Sequence, residues 1–214
     1  HQENEVDLLT NKNVISIERS NNTNTVICDD NTSYTADVIV VGVGIKVNTA
    51  LAENINLEIE NGIKVDATAK TSDASIYAIG DCTFHYNPHY KRFIRLESVQ
   101  NAVDQAKVAA KAICENEVIY DAVPWFWSDQ YDVKLQMVGL STGYNQVLKR
   151  VETDKDKSLS VWYFKDDELL AVDAVNNGKA YVLGGRFIKG KQKLDKKKLI
   201  DTSIPIKPTS FLID

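Results

Sequence analysis

Thr71-Ser72-Asp73-Ala74-Ser75-Ile76-Tyr77-Ala78-Ile79-Gly80-Asp81 is the stretch whose reading decides the fold. A polar lead gives way to the short apolar run Ile76–Ile79, which is cut off by Gly80 and an acid, Asp81. A run this short and apolar throughout predicts a parallel strand covered on both faces. Ligands of open α/β sheets lie beyond the carboxyl ends of such strands. Gly80 would let the backbone approach a ligand closely, and Asp81 would offer acceptors to a hydroxyl. An ordinary acid in a loop after a strand accounts for the same residues.

Upstream, Val38-Ile39-Val40-Val41-Gly42-Val43-Gly44 is a continuous apolar run ending in glycines, which predicts a buried central strand delivering a close-approach loop. Val47 stands where a dinucleotide fingerprint would place its third glycine, so a phosphate cradle is the weaker reading of this loop. Before it, Val14, Ile15 and Ile17 and then Val26 and Ile27 mark short strands. The turn-rich segments Ser20–Asn24 and Asp29–Asn31 separate them from each other and from Ser33–Thr35, which predicts an antiparallel meander. Asn48 is the expected N-cap of a short helix through Glu53, and Asn61-Gly62 predicts a turn before a hairpin or edge strand at Ile63–Asp66.

Downstream, Phe84–Arg92 reads as a loop. His85 and His89 have the spacing of a helical metal pair, but Pro88 argues against the helix and no further ligand completes a site. Glu97–Cys114 is the clearest helix, with Val99, Ala102, Val103, Ala106, Ala110 and Ile113 at helical spacing and Ser98 as its natural cap. A polar connector, Glu115–Asp121, follows. Period-two patterns then predict strands at Val133–Met137, Gln146–Glu152, Leu159–Phe164 and Leu169–Val175, with helices near Lys179–Ile188 and Lys196–Ile200, the latter capped by Asp195. Strands followed by helices describe a separate α+β domain. Trp125-Phe126-Trp127 at its start reads as core by composition. Lys189–Lys198 carries six lysines against one acid, Asp195, which describes a solvated helix face or a landing surface for an acidic protein.

The formal net charge of −5 over 214 residues argues against nucleic acid as main partner. No run approaches the roughly 18 apolar residues of a membrane span. Cys28, Cys82 and Cys114 are odd in number and far apart, which favours reduced thiols, and Cys82 reads as a small buried residue. A cytoplasmic protein without a membrane or nucleic-acid partner is the expectation.

The Thr71–Asp81 stretch resembles the second flavin motif of the FAD-dependent pyridine nucleotide oxidoreductases, in which a Gly-Asp pair ends a strand and the carboxylate holds a ribityl hydroxyl of FAD. Gly42–Gly44 and Glu97-Ser98-Val99-Gln100-Asn101-Ala102 resemble two further motifs of that family. Pro124-Trp125-Phe126-Trp127-Ser128-Asp129-Gln130 narrows the likeness to the branch of the ferredoxin, rubredoxin and putidaredoxin reductases. The likeness runs from about Asp37 to Val175.

The resemblance implies that Gly80 and Asp81 hold the ribityl chain of FAD. It implies that Glu97, Ser98 and Val99 open a helix aimed at the pyrimidine edge of the isoalloxazine, that Trp127 lies beside the flavin, and that Val43 and Gly44 pack on the nicotinamide side. The implied reaction is hydride transfer from NAD(P)H to FAD, then single-electron transfers to an iron-sulfur ferredoxin-type protein, with no catalytic side chain and no metal site in the chain itself. The disulfide reductases of the wider family need a paired cysteine and a carboxyl-terminal His-Pro, and neither is present.

The expected fold is an α/β remnant of an FAD/NAD(P)-binding domain followed by an α+β C-terminal domain with an antiparallel sheet. Its parts are a remnant of the NAD-binding domain at 1–36, the C-terminal part of the FAD-binding domain at 37–117 and the C-terminal reductase domain at 118–214. His1 opens the chain without the strand, Gly-x-Gly-x-x-Gly turn and helix of the family, so the expectation is a C-terminal fragment that binds FAD weakly and turns over little. Its unpaired strand edges suggest a homodimer. The alternative is a flavin-free dimerisation or interaction module derived from the same family.

Overall fold

The computed structural model describes residues 1–20, 22–116, 118–153 and 155–213. The turn expected at Ser20–Asn24 and the connector at Glu115–Asp121 each contain one residue, Asn21 and Glu117, outside the described residues. The chain divides into two compact units, His1–Lys46 and Val47–Asp214.

The first unit is the expected meander. Strands β1 (Val14–Ser20), β2 (Thr23–Cys28) and β3 (Ser33–Ala36) pair antiparallel in sequence order. The β2–β3 turn is closed by Asp30, whose carboxylate accepts from the Thr32 N–H at 3.1 Å and its hydroxyl at 2.6 Å, while Asn31 takes the left-handed conformation at φ 65°. The run after β3 departs from expectation. Val38–Gly44 forms no strand, and Val40 and Val43 are 90% and 89% exposed. A central strand is held by neighbours on both sides, and among the described residues none pairs with this segment.

The second unit opens with α1 (Ala50–Asn54), one turn capped by Thr49 rather than by Asn48. The Asn48 side chain instead accepts from the Ala50 N–H at 3.4 Å. Strands β4 (Ile63–Val65), β5 (Thr83–Asn87) and β6 (Arg92–Ile94) form a small mixed sheet, with β4 parallel and β6 antiparallel to β5. Two expectations are corrected here. Ile76–Ile79 is not a buried parallel strand: it is folded back on the preceding residues, with a single bridge between Lys70 and Tyr77 and Ile79 41% exposed. Turns consume its backbone instead, since the Ile76 carbonyl accepts from the Thr71 N–H and hydroxyl, each at 3.0 Å. The strand comes after the Gly-Asp pair, in the segment read as a loop. Pro88 sits in the β5–β6 turn, where the Asn87 carboxamide accepts the His89 and Tyr90 N–H groups at 3.0 and 3.3 Å.

Helix α2 (Val99–Ile113) crosses next to this sheet. Its buried residues are Gln100, Asn101, Gln105, Val108 and Ala109, whereas Val99, Val103 and Ile113 of the expected apolar stripe are exposed. The helix is turned with its amide side chains inward.

The remainder forms strands over its period-two runs, although the buried set includes Ser160, Trp162 and Phe164 rather than Leu159, Val161 and Tyr163, and Arg150 is buried where Val147 and Val151 are exposed. Strands β7 (Trp125–Gln130), β8 (Val133–Gly139), β9 (Gln146–Val151), β10 (Leu159–Lys165) and β11 (Glu168–Val175) form an antiparallel sheet of order β7-β8-β11-β10-β9. Helix α3 (Gly178–Lys189) packs on β11 and β8, and α4 (Lys196–Ile200) on β9. Trp162, Phe164, Val172, Phe187, Leu199 and Phe211 form the sealed centre of this core. Gly184 lets α3 approach closely, since a Cβ there would lie 2.6 Å from a Val172 methyl. Arg150, 1% exposed, holds the last segment: it pairs with Glu152 and donates to the carbonyls of Leu199, Asp201 and Ile204 at 3.0, 2.7 and 2.8 Å.

Candidate functional site

Gly80–Cys82 makes a single 3-10 turn. Gly80 adopts φ +80°, a region open to glycine at little steric cost, and its N–H donates to the Gln105 carbonyl oxygen of α2 at 2.7 Å. Gly80 also meets Ala102 of α2, close to the start of that helix. Asp81 therefore stands beside the opening of α2. Its side chain is exposed, and among the described residues its carboxylate has no hydrogen-bond partner.

Arg95 joins the turn to the helix start. Its guanidinium donates to the Asp81 carbonyl at 3.4 Å, to Glu97 Oε1 at 2.6 Å and to Asn61 Oδ1 at 3.4 Å. Ser98 caps α2 as its position predicts, its hydroxyl accepting the Asn101 N–H at 3.1 Å. The N–H groups of Val99 and Gln100 remain at the positive end of the helix dipole, and the first turn carries no acid. Glu97, Ser98, Val99, Phe126 and Trp127 line a common open cleft of about 200 Å³. Trp127 is 44% exposed, its ring 5.5 Å from that of Trp125 and tilted by 36°.

Six of the eight residues singled out from the sequence are thus linked in one region: Gly80 and Asp81 on the turn, Glu97, Ser98 and Val99 at the helix start, and Trp127 across the cleft. Val43 and Gly44 belong to the first unit, where Val43 is exposed and Gly44 has φ +95°. Cys82 gives no activated nucleophile, because burial and then the neighbouring Asp81 push its thiol pKa up. His85 is buried in β5, and burial holds its pKa down at about 4. His89 is turned away to the Asp121 carbonyl at 2.8 Å.

Residues 1–106 match the family described as pyridine nucleotide-disulphide oxidoreductase, and residues 125–210 match the family described as reductase C-terminal. The chain is 37% identical over 210 residues to the putidaredoxin reductase of Pseudomonas putida, covering 97% of this chain and 50% of that protein. It is 42% identical over 174 residues to a ferredoxin–NAD(P)(+) reductase of a Sphingomonas species, covering 80% and 42%. It belongs to the pyridine nucleotide-disulphide oxidoreductases, in their ferredoxin reductase branch.

Among solved structures, the reductase in the covalent putidaredoxin reductase–putidaredoxin complex superposes with a TM-score of 0.88 at 36% identity, covering 96% of this chain and 50% of that one. A ferredoxin reductase from Rhodopseudomonas palustris gives 0.86 at 34% identity, covering 93% and 49%. The chain spans about half the length of the curated relatives it matches. Sequence reasoning missed three members of this candidate site: Arg95, Phe126 as a cleft wall, and Gln105. The available signal for Gln105 was three amides at 100, 101 and 105 on one side of an alanine-rich helix, a side that is normally given to water.

The donor set suits a flavin. A carboxylate without a partner offers acceptors to ribityl hydroxyls, the free helix-start amides suit an electron-rich ring edge, and the cleft beside them has aromatic walls.

Proposed function

We propose that this chain supplies the flavin-holding and partner-facing part of an NAD(P)H-dependent ferredoxin reductase. The observation that carries the reading is the meeting of the Gly80–Asp81 turn with the Glu97–Val99 helix start through Arg95, beside a cleft walled by Trp127. When FAD is bound, the chemistry it supplies is acceptance of hydride from a nicotinamide and release of electrons one at a time. Asp81 binds a ribityl hydroxyl. The N–H groups of Val99 and Gln100 favour negative charge at the ring edge, and Trp127 covers the ring and excludes water. Arg95 neutralises Glu97, so that this acid does not oppose the charge the helix start favours.

Val43 and Gly44 take the nicotinamide side in this reading, and the final electron acceptor is a small iron-sulfur protein. The relative in the 0.88 superposition was solved in a complex with putidaredoxin, which supports that class of partner. The division at 36 and 117 into NAD-binding remnant, FAD-binding part and reductase domain goes with this reading. The exposed run Val38–Ile45 supports pairing of the chain with a second copy.

Titrating the purified chain with FAD is expected to quench tryptophan fluorescence and shift the flavin bands. Asp81→Ala should raise the half-saturating concentration about tenfold, the worth of a hydrogen bond to a charged acceptor. Absence of any spectral change up to about 1 mM FAD, the weakest useful affinity, overturns the flavin reading in favour of a cofactor-free interaction module.

A further inference from the structure

Under Gly80 lies a buried polar cluster that flavin binding does not itself use. Gln105 and Asn101 of α2 and Thr83 and His85 of β5 are each at most 2% exposed. A helix normally meets a sheet through apolar side chains, so four polar ones at a single crossing require a cause.

The Gly80 N–H fixes how the cluster is wired. A backbone N–H only donates, so the Gln105 atom 2.7 Å away is its carbonyl oxygen. The Gln105 amide nitrogen then faces His85 Nδ1 at 3.2 Å and donates to it. His85 Nδ1 must accept, which makes the imidazole neutral with its proton on Nε2. Tyr120 packs edge-on against that ring at 5.1 Å and donates its hydroxyl to Asn101 Oδ1 at 2.9 Å. Asn101 in turn donates to the Leu96 carbonyl at 3.2 Å, so the cluster also fixes the approach to the helix start.

Steric fit does not choose the conformation of Gly80. A Cβ there would make only ordinary contact, 3.4 Å from Ala102 Cβ, and glycine enters many backbone states equally well. Hydrogen bonds make the choice: the Gly80 carbonyl accepts from the Thr83 N–H and lies 2.8 Å from its hydroxyl, and the Gly80 N–H is held by Gln105.

We propose that Gln105, oriented by neutral His85, is a positioning residue that locks the Gly80 turn and so aims the Asp81 carboxylate; what Asp81 is aimed at rests on the flavin reading above. Gln105 itself touches no reacting atom.

The test compares Gln105→Leu with Gln105→Glu in the full chain. Without any ligand, Gln105→Leu is expected to speed amide exchange at Gly80 about tenfold or more while the β5–β6 pairing stays protected, and Gln105→Glu, which keeps the acceptor, should stay near wild type. With FAD, Gln105→Leu should weaken binding, and Asp81→Ala combined with Gln105→Leu should bind no worse than Asp81→Ala alone, because one acts through the other.

Gln105→Glu also places an anion beside His85, so the ring titration followed by NMR should move up from about 4. This readout stands even if the leucine variant fails to fold. Unchanged Gly80 exchange in the leucine variant, additive losses in the double variant, or an unmoved His85 titration overturns the proposal. A chain that ignores FAD while Gly80 responds to Gln105 overturns the flavin reading and leaves the positioning role standing.

Discussion

Asp81 and His85 are four positions apart and experience opposite surroundings. The exposed carboxylate of Asp81 faces water, while the imidazole of His85 is 2% exposed and held near pKa 4 by burial. The unfolded chain takes up a proton on His85 below its ordinary value of 6.5, and the folded chain does so only below about 4. Stability should therefore be flat in this group above pH 6.5 and fall as pH drops from 6.5 to about 4, with a limiting slope of about 1.4 kcal/mol per pH unit. Asp173, whose carboxyl is raised by burial, works in the opposite sense by taking up its proton early. Asp132 and Asp201, lowered by hydrogen bonds from Lys157 and Ser203, lose their contribution only below their ordinary 3.8. Urea midpoints at pH 7 and pH 5 check this: equal midpoints would show that His85 is not held neutral. Asp81 stood out as a candidate because a Gly-Asp pair after an apolar run is a local signal, although that run forms no strand. Gln105 did not, because its role depends on a glycine 25 residues away.

At the scale of elements, β5 and α2 carry their polarity inside out. β5 buries Thr83, His85 and Asn87 and leaves Tyr86 47% exposed; α2 buries Gln100, Asn101 and Gln105 and exposes Val99, Val103 and Ile113. Hydropathy patterning assumes that apolar residues mark the inner face, so β5 read as a loop and α2 was given the wrong one. The strands β8 to β11 were legible in position from their period-two runs, but not always in face, since β9 buries Arg150 while exposing Val147 and Val151, and β10 buries Ser160 beside Trp162 and Phe164. Caps are legible too, since they act within three residues. Ser98→Ala should cost about 1 kcal/mol by removing the acceptor for the Asn101 N–H, and Ser98→Asp should restore most of it, as followed by urea denaturation. Arg150→Ala should cost more, about 3–5 kcal/mol, because Glu152 and three carbonyls would be left without their donor. Thermal melting of the two variants side by side ranks them, and equal losses would contradict the buried clamp.

Across the whole molecule, no helix among the described residues is long and apolar enough to cross a membrane. The first unit keeps Val38, Val40, Val41, Val43 and Ile45 more than half exposed, a contiguous apolar strip on a small meander. Such strips drive association. Light scattering of the chain should report species heavier than 23.9 kDa, and Val40→Lys with Val43→Lys should bring the mass down toward the monomer. A monomer before and after substitution would remove the case for pairing. The apolar run there reads as a buried central strand, but it forms no strand and is exposed, because the pairing and covering of a central strand depend on neighbours that its own sequence does not encode. The inverted meeting of β5 and α2 also bears on engineering. Anyone seeking a tougher scaffold would be drawn to its amides and replace them with leucine, the usual recipe for a drier interior. The leucines would strand the Gly80 N–H and His85 Nδ1 in the interior without their partner, at about 1–3 kcal/mol each, so the drier junction would give up both its hold on the turn and its resistance to heat.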